Sequence, residues 1–184
     1  MILLRHGQSE FNLHYTATRI DPGIEDPRLT PLGHQQAAQA AAALAGEKID
    51  RIIASPYTRA LQTAAPLAQS LGLPVLVTTA VRERYAFVCD VGSPVAHLAA
   101  AWPGHDFSAL EDIWWPAQAE PEARVIERAN AFRADMAADP LWDRTVVVSH
   151  WGFIMALTGI SVQNGQWLRI DPTAPAPAQI VWRV

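Results

Sequence analysis

Four short segments of this 184-residue chain set cations, imidazoles or a carboxyl group directly after an apolar run or at the mouth of a helix. The first is Arg5-His6-Gly7, which follows Met1-Ile2-Leu3-Leu4. Arginine offers a planar charged fork, imidazole a nucleophile or donor, and glycine lets the main chain approach a ligand closely. Such a segment suits an anion. The second, Ser55-Pro56-Tyr57-Thr58-Arg59, puts Arg59 about one turn into a helix that follows a strand. The third is Arg82-Glu83-Arg84, and the fourth is Val147-Val148-Ser149-His150-Trp151-Gly152, an apolar strand ending in a histidine. In a parallel sheet all four strand ends can point to one edge, where Arg5, His6, Arg59, Glu83 and His150 would converge on one phosphate. Each has an ordinary reading alone. Glu83 between two arginines could be a surface ion-pair residue, and His150 a strand-end histidine satisfied by backbone.

The elements that would position these residues can be read from pattern. Met1–Leu4, Arg51–Ala54, Pro74–Thr78 and Thr145–Ser149 are short apolar or β-branched runs that predict strands. Thr30-Pro31 opens a helix with Gly33–Leu44 as its body and Gly46 as its stop. Ser55-Pro56 reads as the cap of a second helix, Tyr57–Leu71, which ends at Gly72. Pro121–Ala138 carries Val125, Ala129, Phe132 and Met136 at helical spacing, and Trp151–Leu157 starts another helix. Ser9–Arg28 lacks periodicity and reads as a loop with one helical turn. Gln166–Ile170 and Gln179–Val184 predict a closing hairpin joined by the proline-rich turn Pro172–Pro177. Alternating strands and helices imply an α/β fold: a three-layer α/β/α sandwich, its central sheet mostly parallel with helices on both faces.

One stretch fits this scheme poorly. Residues 84–120 are aromatic and acidic, hold Trp102, Trp114 and Trp115, and have no arginine or lysine between Tyr85 and Ala123. An insertion this long is either a lid or specificity wall, or an extra packing layer.

Composition sets the outer bounds. The length fits one domain, 1–184, with one sizeable core, and half of the residues are apolar, which excludes disorder. A net charge of −4 argues against a general nucleic-acid binder. Cys89 is the only cysteine, so neither an intrachain disulfide nor a zinc-thiolate cluster can form. No charged leader precedes the first strand and no apolar stretch is long enough for a bilayer, so a cytoplasmic protein without a membrane partner is expected.

Taken in order, the motifs resemble the histidine phosphatase superfamily, the phosphoglycerate-mutase-like proteins. The resemblance rests on Arg5-His6-Gly7 with Asn12, on Asp26-Pro27-Arg28-Leu29-Thr30-Pro31-Leu32-Gly33, on Ser55-Pro56 with Arg59-Ala60 and Gln62-Thr63-Ala64, and on Ser149-His150. It implies that His6 attacks phosphorus in line and becomes a phosphohistidine. Arg5, Arg59 and His150 would hold the equatorial oxygens, Asn12 and main-chain N–H groups after Gly7 and His150 would complete the cradle, and Glu83 would act as general acid and base. The arginines and histidines supply the positive charge, so neither a metal nor another cofactor is expected.

Departures from the family bear on the substrate. Gln8 stands where many relatives have glutamate, and Tyr85-Ala86-Phe87 replaces the mutase sequence after Arg84, although Arg84 itself fits. Trp151 replaces the usual glycine after the second histidine and would narrow the pocket or stack on a substrate. A mutase also needs further cations over its pocket, and residues 84–120 hold none after Arg84. The expected function is therefore metal-independent hydrolysis of a small phosphomonoester, with a homodimer left open. The alternatives are phosphoglycerate-mutase-type transfer, a phosphohistidine-protein phosphatase, and a non-catalytic phospho-ligand binder.

Overall fold

The computed structural model describes residues 1–182. Strands β1 (Ile2–Arg5), β2 (Arg51–Ala54), β3 (Val75–Val77), β4 (Thr145–Ser149) and β5 (Trp167–Arg169) form one sheet in the order β3-β2-β4-β1-β5. All pairs are parallel except β1 with β5. Because side chains alternate across a strand, each strand feeds two cores. Ile2, Leu4, Ile52, Ala54, Val146 and Val148 lie with α2 (Pro31–Leu44) and α3 (Thr58–Leu71). Leu3, Ile53 and Val147 lie with α5 (Glu122–Ala138) and α6 (Trp151–Thr158). Each fully buried Leu, Ile or Phe here contributes on the order of 2 kcal/mol. Helices thus cover both faces of a mostly parallel sheet.

Local chemistry sets the helix ends. Thr30 Oγ1 accepts from Gly33 N at 3.1 Å and Pro31 sits in the first turn of α2. Gly72 closes α3 with φ of 64°, a left-handed conformation that suits glycine.

Three expectations need correction. Ser9–Arg28 is not a loop with one turn, for α1 occupies Glu10–Thr18. Ser9 caps it, exchanging hydrogen bonds with Asn12, and Phe11 and Tyr15 pack on Phe87. Ser55 does not cap α3. Tyr57 holds that position without a side-chain bond, and Asp26 does the work from a distance, accepting Thr58 N at 2.9 Å. The closing hairpin is absent among the described residues: β5 pairs with β1, and residues 179–182 form no strand. The last two residues of the expected hairpin, Arg183 and Val184, lie outside the described residues.

Residues 84–120 hold a short 3-10 turn, Val88–Asp90, and a helix α4, Val95–Ala101. Leu98, Phe107 and Trp114 are buried in the core on the α2/α3 side, and Trp102 and Trp115 pack partly buried against it. Trp114 meets Tyr57 edge-on at 4.7 Å and its indole N–H donates to Ser93 O at 2.9 Å. The tryptophans of this stretch therefore form a packing layer.

Candidate active site

The parallel register sets Arg5 opposite Ser149, so the residues after each strand, His6 and His150, leave the sheet side by side. Their ring centroids are 5.0 Å apart, and both are almost fully buried. His6 Nδ1 lies 2.7 Å from Gly7 O. A carbonyl can only accept, so the proton sits on Nδ1 and the Nε2 lone pair is left free. Burial first, then the charges of Arg59 and Arg5, hold the His6 pKa well below its usual value. The same order of causes, with His6 also contributing, lowers His150. Both imidazoles are neutral at neutral pH.

Two arginines flank them. Arg5 Nη1 donates to Val162 O at 2.7 Å, while its buried Nε has no partner among the described residues. Burial, and then the neighbouring Arg59, bring its pKa down to about 10, with Glu83 opposing, so Arg5 stays charged. Arg59, only 2 % exposed, donates to Cys89 O at 2.8 Å and to Asp90 Oδ1 at 3.2 Å.

Glu83 reaches the site on a loop that other elements grip. Arg128 of α5 donates to Ala80 O at 3.0 Å and Arg82 O at 2.8 Å, and Ser149 Oγ donates to Val81 O at 2.7 Å. The Glu83 oxygens accept from Arg84 N at 2.8 Å and Gly152 N at 3.2 Å. Burial, then the Asp90 charge, raise the Glu83 pKa, while these two N–H groups and Arg59 oppose the rise.

Four other residues were named from sequence. Gly7 N donates to Thr63 Oγ1 at 3.1 Å, and a Cβ on Gly7 would fall 2.3 Å from Gly33 O, so here glycine serves a close backbone contact. Asn12 Oδ1 accepts from Ser9 and from Asn164 Nδ2, which leaves its NH2 group for a ligand. Arg84 is turned away, donating to Glu120 O and Glu122 Oε1. The Trp151 indole donates to Ser161 Oγ at 3.0 Å and its ring meets Trp182 at 6.0 Å.

Sequence reading missed Asp90, Asn164 and the role of Ser55. Asn164 Nδ2 donates to His6 O at 3.1 Å, and Ser55 Oγ lies 2.7 Å from His150 Nε2. Asp90 is one acid among several in an aperiodic segment, and Asn164 sits in a loop, so neither carried a local signal. Among the described residues no cluster of three or more His, Cys, Asp or Glu side chains could hold a metal ion, and no helix is long and apolar enough to cross a membrane.

A parallel sheet that delivers two neutral histidines and two arginines to one strand edge is an α/β protein suited to a phosphoryl group. The chain belongs to the histidine phosphatase superfamily (branch 1), whose family model matches residues 1–176, and it is a phosphoric monoester hydrolase of that family. It is 34 % identical over 167 residues to glucosyl-3-phosphoglycerate phosphatase of Mycobacterium tuberculosis, covering 86 % of this chain and 73 % of that one. The glucosyl-3-phosphoglycerate phosphatase of Mycolicibacterium vanbaalenii is 32 % identical, with 100 % and 92 % covered. A solved structure of mycobacterial glucosyl-3-phosphoglycerate phosphatase complexed with VO3 superposes with a TM-score of 0.63 at 29 % identity, covering 91 % of this chain and 90 % of the other.

Proposed function

We propose that the protein hydrolyses a small phosphomonoester through a phosphohistidine on His6. One observation carries this reading: the His6 Nδ1–H is bound to Gly7 O, which leaves the Nε2 lone pair free, and Arg59 and Arg5 lie near enough to help hold the ring neutral. In the first step the Nε2 lone pair forms a bond to phosphorus as the bond to the leaving oxygen breaks. Arg5, Arg59 and His150 stabilise the charge on the equatorial oxygens, joined by the Asn12 amide. Glu83, whose pKa burial raises, gives a proton to the leaving oxygen. Water then attacks phosphorus, Glu83 takes its proton, the N–P bond breaks and inorganic phosphate leaves. The arginines supply the charge that a metal would otherwise supply.

The named relatives favour a substrate of the glucosyl-3-phosphoglycerate kind, a phosphorylated glyceric acid bearing a sugar. Residues 84–120 would form a wall of the leaving-group side as well as a packing layer, and such a soluble small-molecule enzyme fits the cytoplasm. The test is phosphate release from a panel containing glucosyl-3-phosphoglycerate, 3-phosphoglycerate and sugar phosphates, in EDTA, for wild type and His6→Ala. Turnover that survives EDTA and disappears in His6→Ala, with a phosphoenzyme trapped by mass spectrometry only in wild type, supports the reading. Undiminished turnover by His6→Ala would overturn it.

A further inference from the structure

Arg59 is held by the segment 84–120 rather than by its own helix. Besides its bonds to Cys89 O and Asp90 Oδ1, its guanidinium lies 4.3 Å from the Tyr57 ring centroid. The Tyr57 hydroxyl in turn donates to Asp90 O at 2.5 Å. Asp90 is 1 % exposed, and its carboxyl faces donors only. Oδ1 receives Arg59 Nη2 and the Cys89 thiol at 3.5 Å, and Oδ2 receives the main-chain N–H of Ala86 at 2.9 Å and of Phe87 at 3.0 Å. A proton on either oxygen would find no acceptor, so this set of partners fits the ionised form.

We propose that Asp90 is a positioning residue: it fixes the Arg59 guanidinium toward the phosphoryl group, so that residues 84–120 supply a working part of the site. The proposal rests on the reading of the site given above. Two features separate it from packing alone. After burial, the Arg59 charge lowers the pKa of both histidines more than any other group does, so its orientation sets the field where phosphorus would sit. An amide also cannot replace the carboxylate. Asparagine has one acceptor oxygen, and its NH2 would face either Arg59 or the two main-chain N–H groups. Filling the space would need no such selectivity, since an apolar side chain often replaces a buried ion pair without loss of stability.

The experiment is a double-mutant cycle with Asp90→Asn, Arg59→Ala and the double variant. Orthovanadate binding is read by calorimetry and p-nitrophenyl phosphate turnover by steady-state kinetics. Asp90→Asn is expected to weaken orthovanadate by about tenfold and to lower kcat more than it raises KM, and to add nothing once Arg59 is alanine. Equal effects in both backgrounds, or wild-type affinity and kcat in Asp90→Asn, would overturn the proposal while leaving the phosphatase reading intact. Absence of orthovanadate binding by wild type would overturn both. If Asp90→Asn does not fold, Tyr57→Phe frees the Asp90 carbonyl while keeping the ring beside Arg59. It is expected to weaken orthovanadate in the same Arg59-dependent way, and unchanged affinity would overturn the proposal.

Discussion

Ser55 and His150 are joined by a 2.7 Å hydrogen bond between Oγ and Nε2, and the other ring nitrogen of His150, Nδ1, is buried without a partner among the described residues. Ser55 Oγ also accepts from Tyr57 N at 3.3 Å, which favours its proton pointing to Nε2. The proton of His150 then lies on Nδ1, as a donor for an anion.

Ser55→Ala removes that choice of tautomer. The expected result is a folded protein whose kcat/KM falls on the order of tenfold, the equivalent of about 1.4 kcal/mol. Steady-state kinetics, with nitrogen NMR of His150 to report the tautomer, would check it. Unchanged kinetics with an unchanged tautomer would refute the assignment.

The pH profile follows from two shifts of opposite sense. His6 is held below its usual pKa, so it stays neutral well into acid, and Glu83 is held above its usual range, so it keeps its proton longer as pH rises. Activity should therefore be greatest on the acid side, falling at high pH as Glu83 ionises, its pKa raised by burial and the Asp90 charge against the opposing N–H groups and Arg59. Glu83→Gln is expected to lose this alkaline limb and to reduce kcat by roughly 10²–10⁴-fold. The Glu83 contribution to stability has the same sign, whereas the two buried histidines, held below their usual pKa, cost stability as pH falls through the imidazole range. A raised folded-state pKa stabilises fully below the unfolded value and is lost as pH rises through the folded one. A profile from pH 4 to 9 for both proteins would decide.

Gly7→Ala tests the close approach of two main chains. The new methyl would lie 2.3 Å from Gly33 O, a backbone atom that cannot swing aside. A loss of about 3 kcal/mol or more is expected, read as a lower denaturant midpoint. A wild-type midpoint would show that the two segments part without cost.

Asp26 adopts φ of 38° and joins three groups: Thr58 N, Thr58 Oγ1 at 2.6 Å and Ser93 Oγ at 2.7 Å. It thereby fastens the helix of Arg59 to the insertion. Asp26→Ala should cost about 2 kcal/mol in thermal or chemical unfolding. Asp26→Asn, which can still accept from Thr58, should cost less. Equal losses for the two would argue that the side-chain bonds contribute nothing.

The elements that were legible are those with a local cause. Thr145–Ser149 is an unbroken β-branched and hydroxyl run buried on both faces, and it is a strand over that span. Helix α1 was hidden because Phe11 is its only buried residue, so no apolar period exists to read. Strand β5 falls within the expected Gln166–Ile170, but its partner is β1, far away in sequence, and no turn announces that pairing. The convergence of Arg5, His6 and His150 was legible because all three lie at the end of an apolar run. Asp90 and Asn164 were not, since only long-range contacts bring their aperiodic loops to the histidines.

The central place of β4 has a consequence for how the molecule is made. This strand bonds to β1 on one side and β2 on the other, so without it the sheet is two unconnected pieces, β1–β5 and β2–β3. Closure of a loop from residue 5 to residue 149 must precede the meeting of the two histidines, a slow class of folding event. During synthesis, His6 emerges more than a hundred residues ahead of His150 and waits without that partner until β4 follows. The competence to hold a phosphoryl group would then arrive in one late step, with the sheet itself.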